Sequence, residues 1–132
     1  MISPPNLQKG ELVAFAAPAR SISNQELQAA INSLLQQGFR YRLDDEVLAV
    51  HNQFAGNAKH RTDHFQRLLD DPDVKVILCA RGGYGSLQII DQLNFNQFRK
   101  YPKWIVGYSD ITVLHARLQS EGFQSLHATM PV

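Results

Sequence analysis

Two stretches of the sequence carry residue types suited to chemistry at a carbonyl group: Gly107-Tyr108-Ser109-Asp110 and Arg81-Gly82-Gly83-Tyr84-Gly85-Ser86. In the first, the apolar run Trp104-Ile105-Val106 stops at a glycine and a helical pattern, Ile111 to Leu118, begins at once. A strand that ends in glycine and turns straight into a helix holds one side chain at the tip of the turn, with helix N-terminal N–H groups behind it. Ser109 occupies that tip and is a candidate nucleophile. The alternative is structural, because Ser and Asp are also favoured N-cap residues. Only half of the Gly-x-Ser-x-Gly elbow is matched, since Ile111 stands where the second glycine would be.

The glycine stretch follows the apolar run Val74 to Ala80. Gly83, Gly85 and Gln88 fall on the three positions of a dinucleotide fingerprint, so its third glycine is missing, and no Gly-Lys-Ser/Thr is present for a triphosphate loop. Adjacent glycines do bring bare backbone N–H groups close to a reacting oxygen. The N–H of Asp110 and one from Gly82 or Gly83 could hold the oxyanion that develops as Ser109 attacks a carbonyl, where one such donor is worth about 3 kcal/mol. The competing reading is a tight strand-to-helix turn that holds no ligand.

The elements that must position these residues alternate. Leu12 to Ala17 is apolar on both faces, the mark of a buried parallel strand, and Pro18 stops it. Ser23 or Asn24 caps a helix whose apolar stripe is Leu27, Ile31, Leu34 and Leu35, and Gly38 ends it. Phe39 to Leu43 reads as a second strand, Val47 to Val50 as a short extended piece and Gly56-Asn57 as a turn. A helix over Ala58 to Leu69 turns Phe65, Leu68 and Leu69 inward and leaves Lys59, Arg61, Asp63 and Arg67 to solvate its outer face. Then come a strand over Val74 to Ala80, a helix carrying Leu87, Ile90 and Leu93, and a strand from Lys103 to Tyr108. The Ser109 helix, with Ile111, Leu114 and Leu118 inward, ends at Gly122, and Phe123 to Met130 reads as a last strand.

Such alternation implies an α/β domain: a mostly parallel open sheet with helices on both faces, of flavodoxin-like or class I glutamine amidotransferase-like layering. Ligands of these sheets sit outside the carboxyl ends of the strands. Pro18-Ala19-Arg20, Arg81 to Ser86 and Tyr108-Ser109-Asp110 all fall there. Their convergence on one edge is the case for a site.

The 132 residues suit one domain, residues 1–132. A net charge of +1 with 44% apolar residues argues against a nucleic-acid surface and for a small-molecule or protein partner. The single cysteine, Cys79, lies inside an apolar run and reads as a buried structural thiol. The longest apolar run, Leu12 to Ala19, is too short for a bilayer, and Met1 to Lys9 lacks the apolar stretch of a leader. The expectation is a cytoplasmic protein with no membrane partner. His60 and His64 at i, i+4 lack an intervening glutamate and a third ligand, so neither a metal nor another cofactor is expected.

Arg81-Gly82-Gly83-Tyr84-Gly85, followed after a helix by Pro102-Lys103 and Gly107-Tyr108-Ser109-Asp110-Ile111-Thr112, resembles the LD-carboxypeptidase family of serine peptidases, the muramoyltetrapeptide carboxypeptidases. Ala16-Ala17-Pro18-Ala19 resembles that family's first-strand loop, and Gly56, Arg61, Asp71-Pro72 and Val74 fall where the helix before its glycine strand would put them. The resemblance covers most of the chain. It implies a cytoplasmic bacterial hydrolase that removes the terminal D-alanine from murein tetrapeptides in cell-wall recycling. Ser109 would be the nucleophile, with the Asp110 backbone and Gly83 as oxyanion hole, although Gly82 is also placed to donate. A carboxypeptidase recognises a free carboxylate, for which Arg81 is a candidate. The alternative for Arg81 is a tie to a structural carboxylate, and Tyr84 and Tyr108 either line the pocket or pack.

The resemblance also places the base and its orienting acid, a histidine and a glutamate, in a C-terminal domain. The expectation is therefore a truncated, inactive half whose partners are a murein-derived peptide and that missing domain, with a homodimer as a further candidate. His115, six residues after Ser109, is rotated off its helix face and reads as packing. His127 falls on the last strand, where Ala128-Thr129 replace the Gly-Pro the family usually has. Two other readings stand beside the first: a related hydrolase of peptidyl-nucleotide antibiotics, and a non-catalytic α/β module that binds an anion or a peptide terminus.

Overall fold

The computed structural model describes residues 1–132. Five parallel strands, β1 (Leu12–Ala16), β2 (Arg40–Arg42), β3 (Val74–Cys79), β4 (Trp104–Gly107) and β5 (Leu126–His127), form one sheet in the order β2-β1-β3-β4-β5. This is the flavodoxin-like order, whose switch point lies between β1 and β3. Ala16 pairs with Cys79 and Leu78 with Val106, so Ala16, Cys79 and Gly107 end their strands side by side. The loops that leave those three residues share one edge.

Side chains alternate across the central strands, and both faces are covered. Phe15 packs with Leu27 and Ile31 of α1 (Asn24–Gln36). Ala14, Ala16, Ile77 and Ile105 join the larger cluster under α2 (Ala58–Asp70), α3 (Asn96–Lys100) and α4 (Thr112–Ser120). A capping box starts α1: the Ser23 hydroxyl accepts from the Glu26 N–H at 3.2 Å, and the Ser23 N–H donates to the Glu26 carboxylate at 3.1 Å. Leu35, assigned to the inward stripe, is exposed. It lies roughly 80° round the helix from Leu27, at the margin of the buried face.

Three further expectations are corrected. The segment read as extended, Val47 to Val50, begins instead within a 3-10 turn, Asp45–Leu48, that buries Val47. No α-helix spans Leu87 to Leu93; two 3-10 turns, Ser86–Gln88 and Ile90–Gln92, bury Ile90 and leave Leu87 exposed. The three-residue spacing of Ile90 and Leu93 suits a 3-10 turn as well as an α-helix, so the pattern alone did not distinguish them. The expected last strand is two residues long. After it the chain leaves the sheet and crosses the carboxyl edge, with the Ala128 N–H donating to the Gly107 carbonyl at 3.1 Å and the Val132 N–H to the Ala80 carbonyl at 3.3 Å.

Lys103 is a buried cation at the far end of the fold. Its Nζ donates to the Leu68 carbonyl at 2.8 Å and to the Asp71 carbonyl, closing the C-terminus of α2. Burial pushes its pKa down to about 8, against the opposing pull of Asp71 and Asp70. Burial likewise raises the Cys79 thiol, which stays protonated and inert. No helix is long and apolar enough to cross a membrane.

Candidate active site

The turn after β4 is made by close approach and by strain. Tyr108 is extended, and Ser109 adopts φ 60°, in the left-handed region that side chains other than glycine rarely enter. A Cβ on Gly107 would lie 2.8 Å from Ile111 Cγ2, so only glycine lets the fully buried Ile111 fold back over the strand end. Ile111, the residue that departs from the generic elbow, is thus the packing that closes this one. Ser109 does not cap α4. Ile111 precedes that helix, and neither it nor the 3-10 turn Ser109–Ile111 has a side-chain cap. The serine stands exposed at the tip of a strained turn.

Asp110 joins the elbow to the glycine loop. Its Oδ2 accepts from the Ser86 N–H at 2.9 Å, while a Cβ on Gly82 would sit 3.4 Å from the Asp110 backbone nitrogen. The first of the paired glycines therefore lies against the N–H that follows the serine. Gly83 and Gly85 have φ values of 104° and 133°, which a side chain would strain. At Gly85 a Cβ would also meet the Ala19 Cα at 3.2 Å and Arg61 Nη1 at 2.9 Å. Here the loop after β1, the loop after β3 and α2 touch.

Arg61 holds that junction, and its assignment to the solvated face of α2 is wrong. It is 2% exposed. Its Nε donates to the Gly56 carbonyl at 3.1 Å, Nη1 to the carbonyls of Pro18 at 2.8 Å and Gly85 at 2.9 Å, and Nη2 to Gln88 Oε1. Its guanidinium also lies 4.6 Å from the centre of the Phe54 ring. Burial works against its charge, and the Asp110 carboxylate supports it. The sequence held the signal: Arg61 precedes Phe65 by four residues and Leu68 by seven, on the stripe that Phe65 and Leu68 define.

The remaining candidates fall around this centre. Arg81 Nη1 donates to the Ser21 carbonyl at 3.2 Å and lies 3.7 Å from the Glu26 carboxylate, so its contacts are with the start of α1. Tyr84 is exposed and packs against Phe54, with ring centres 6.0 Å apart. Tyr108 is exposed beside His127, at 6.2 Å. His115 is committed elsewhere: Nε2 donates to the Gly107 carbonyl at 2.8 Å, which leaves Nδ1 to accept from the Ser125 hydroxyl at 2.6 Å. Arg20, whose loop was placed at this edge but which was not singled out, lies over Gly83. A Cβ there would fall 2.3 Å from Arg20 Cδ.

Residues 12–128 match the family model for the LD-carboxypeptidase N-terminal domain. The chain belongs to the LD-carboxypeptidase family. It is 34% identical over 128 residues to a protein of Bacillus subtilis named "Probable murein peptide carboxypeptidase", covering 96% of this chain and 40% of the relative. It is 32% identical over 116 residues to the murein tetrapeptide carboxypeptidase of Pseudomonas aeruginosa, covering 87% and 38%. The chain thus spans about two fifths of the length of these LD-carboxypeptidase relatives. Among solved structures, the microcin C7 self-immunity protein MccF in complex with aspartyl sulfamoyl adenosine superposes with a TM-score of 0.91 at 22% identity, over all of this chain and 40% of that one. That likeness establishes the shared α/β fold.

Proposed function

We propose that this chain carries the nucleophile and oxyanion hole of a serine carboxypeptidase that cleaves the terminal D-alanine from murein tetrapeptides in the cytoplasm. The observation that supports this most is the juxtaposition of the strained Ser109 elbow with Gly82, through the Asp110 backbone nitrogen. Ser109 Oγ attacks the scissile carbonyl carbon and gives up its proton to a general base. The carbonyl oxygen takes the negative charge and is held by the Asp110 N–H and an N–H of the Gly82-Gly83 pair. The tetrahedral adduct then collapses, the C–N bond breaks, the same proton goes to the D-alanine amine, and water hydrolyses the acyl-serine.

The base in this reading comes from outside residues 1–132. His115 is on α4, the helix that follows the elbow, but both its ring nitrogens are already bonded. The partner that supplies the base is then the C-terminal domain expected from the family, and self-association as a homodimer is compatible with it. The relatives named as murein carboxypeptidases favour a murein peptide over a peptidyl-nucleotide as substrate.

The test is D-alanine release from a murein tetrapeptide by the chain mixed with an LD-carboxypeptidase C-terminal domain. Release that requires both components and vanishes in Ser109→Ala supports the reading. Peptide binding without cleavage in any mixture would favour the binding module, and cleavage of an acyl-sulfamoyl adenosine alone would favour the peptidyl-nucleotide hydrolase.

A further inference from the structure

We propose that Arg20 is the carboxylate-recognising residue of the site, taking the free C-terminal carboxylate of the substrate. The inference rests on the peptidase reading above and names the subsite which that reading leaves without an owner. Its backbone is fixed by antiparallel pairing with the 53–55 segment: the Ser21 N–H donates to the Gln53 carbonyl and the Ala55 N–H to the Ala19 carbonyl, both at 3.0 Å. From that anchored position the side chain lies over Gly83. A Cβ added there would meet Arg20 Cδ at 2.3 Å, Cγ at 2.8 Å and Nε at 3.2 Å.

The guanidinium is exposed and nearly uncommitted. It makes one long hydrogen bond, from Nη2 to Gln53 Oε1 at 3.4 Å, and belongs to no ion pair of the fold. The other arginines of this edge are occupied: Arg61 by three carbonyls and Gln88, Arg81 by Ser21 and Glu26. In a substrate that ends one residue past the scissile bond, the carboxylate carbon lies roughly 4 Å from the scissile carbonyl carbon. The order along this edge is Asp110 N–H, Gly82, Gly83, Arg20. The two donors that would hold the oxyanion are therefore followed directly by a planar cation whose fork fits a carboxylate.

The test is a titration of the 132-residue chain, read by NMR, with a murein tetrapeptide ending in free D-alanine and with the same peptide as its C-terminal amide. Wild type is expected to bind the free acid about tenfold more tightly, as a charge-assisted contact implies. Arg20→Gln brings the two peptides to parity, Arg20→Lys keeps part of the preference, and Arg81→Gln keeps it whole. A preference that survives Arg20→Gln and disappears in Arg81→Gln overturns the assignment, as does a wild type that never distinguishes acid from amide. Phosphonate labelling of Ser109 with the C-terminal domain present reports separately on the peptidase reading, because it involves no carboxylate. Labelling intact in Arg20→Gln with peptide parity supports both claims; labelling intact without any acid preference in wild type removes the Arg20 claim alone.

Discussion

Arg61 Nη1 and the Gly85 carbonyl, 24 positions apart in sequence, meet at 2.9 Å inside the protein. The same nitrogen reaches the Pro18 carbonyl at 2.8 Å, so one guanidinium fixes the loop after β1 against the loop after β3. These loops leave the switch point of the sheet, and although the loop after β1 pairs with the 53–55 segment, no strand pairing joins it to the loop after β3. A buried cation does it instead.

Arg61→Met removes the donor from the carbonyls of Gly56, Pro18 and Gly85. An unsatisfied buried polar group costs about 1–3 kcal/mol, so a loss of roughly 3 kcal/mol or more is expected from urea unfolding. Arg61→Lys cannot span all three acceptors and falls between. A loss below about 1 kcal/mol for Met would mean that the loops hold themselves.

The two left-handed glycines respond differently to alanine. At Gly85 the clash includes the Ala19 backbone, which cannot yield, so Gly85→Ala is the more destabilising change. At Gly83 the obstacle is the flexible Arg20 side chain. Arg20→Ala should therefore recover part of the Gly83→Ala loss, with a coupling on the order of 0.5 kcal/mol or more in a double-mutant cycle. Additive effects would place Arg20 away from the glycine.

Ser109 holds a left-handed conformation that costs a side chain about 1–2 kcal/mol and glycine almost nothing. Ser109→Gly is expected to be at least as stable as wild type in thermal unfolding, and Ser109→Ala is expected not to share that gain. Both remove the hydroxyl proposed as the nucleophile. A marked destabilisation by glycine would show that the serine turn is not strained.

Lys103 links stability to alkaline pH. Its folded pKa of about 8 lies below the unfolded value of about 10.4, so between these values the native state binds fewer protons than the unfolded one. Stability therefore rises with pH across this window, and the penalty for the buried charge is complete below about pH 8. Urea midpoints of wild type against Lys103→Met should show wild type gaining on the variant from pH 8 to 10. A constant difference would mean that the ammonium keeps an ordinary pKa in its carbonyl cage.

Much of this was legible in the chain itself. The apolar run of β1 is continuous because both faces of that strand are buried, β3 is interrupted only by the exposed Lys75, and the glycine and proline boundaries of β1, β3 and β4 marked the three loops of the site edge. Ser109 was placed at the tip because a strand signal and a helix signal abut there. Arg61 was misplaced because a charged side chain was given to solvent by type, although its spacing put it on the buried stripe. The commitment of His115 to Gly107 and Ser125 depends on where β5 lies beside β4, a long-range contact that local pattern does not encode. Arg20 could be assigned to the right edge, but not to Gly83, for the same reason.

The most direct measurement is intact-mass detection of Ser109 labelling by a serine-directed phosphonate, on the chain alone and with an LD-carboxypeptidase C-terminal domain added. Labelling that requires the added domain, and is absent in Ser109→Ala, is the predicted result. Labelling of the chain alone would contradict the external base by revealing one within these residues, and no labelling in either mixture would contradict Ser109 as nucleophile.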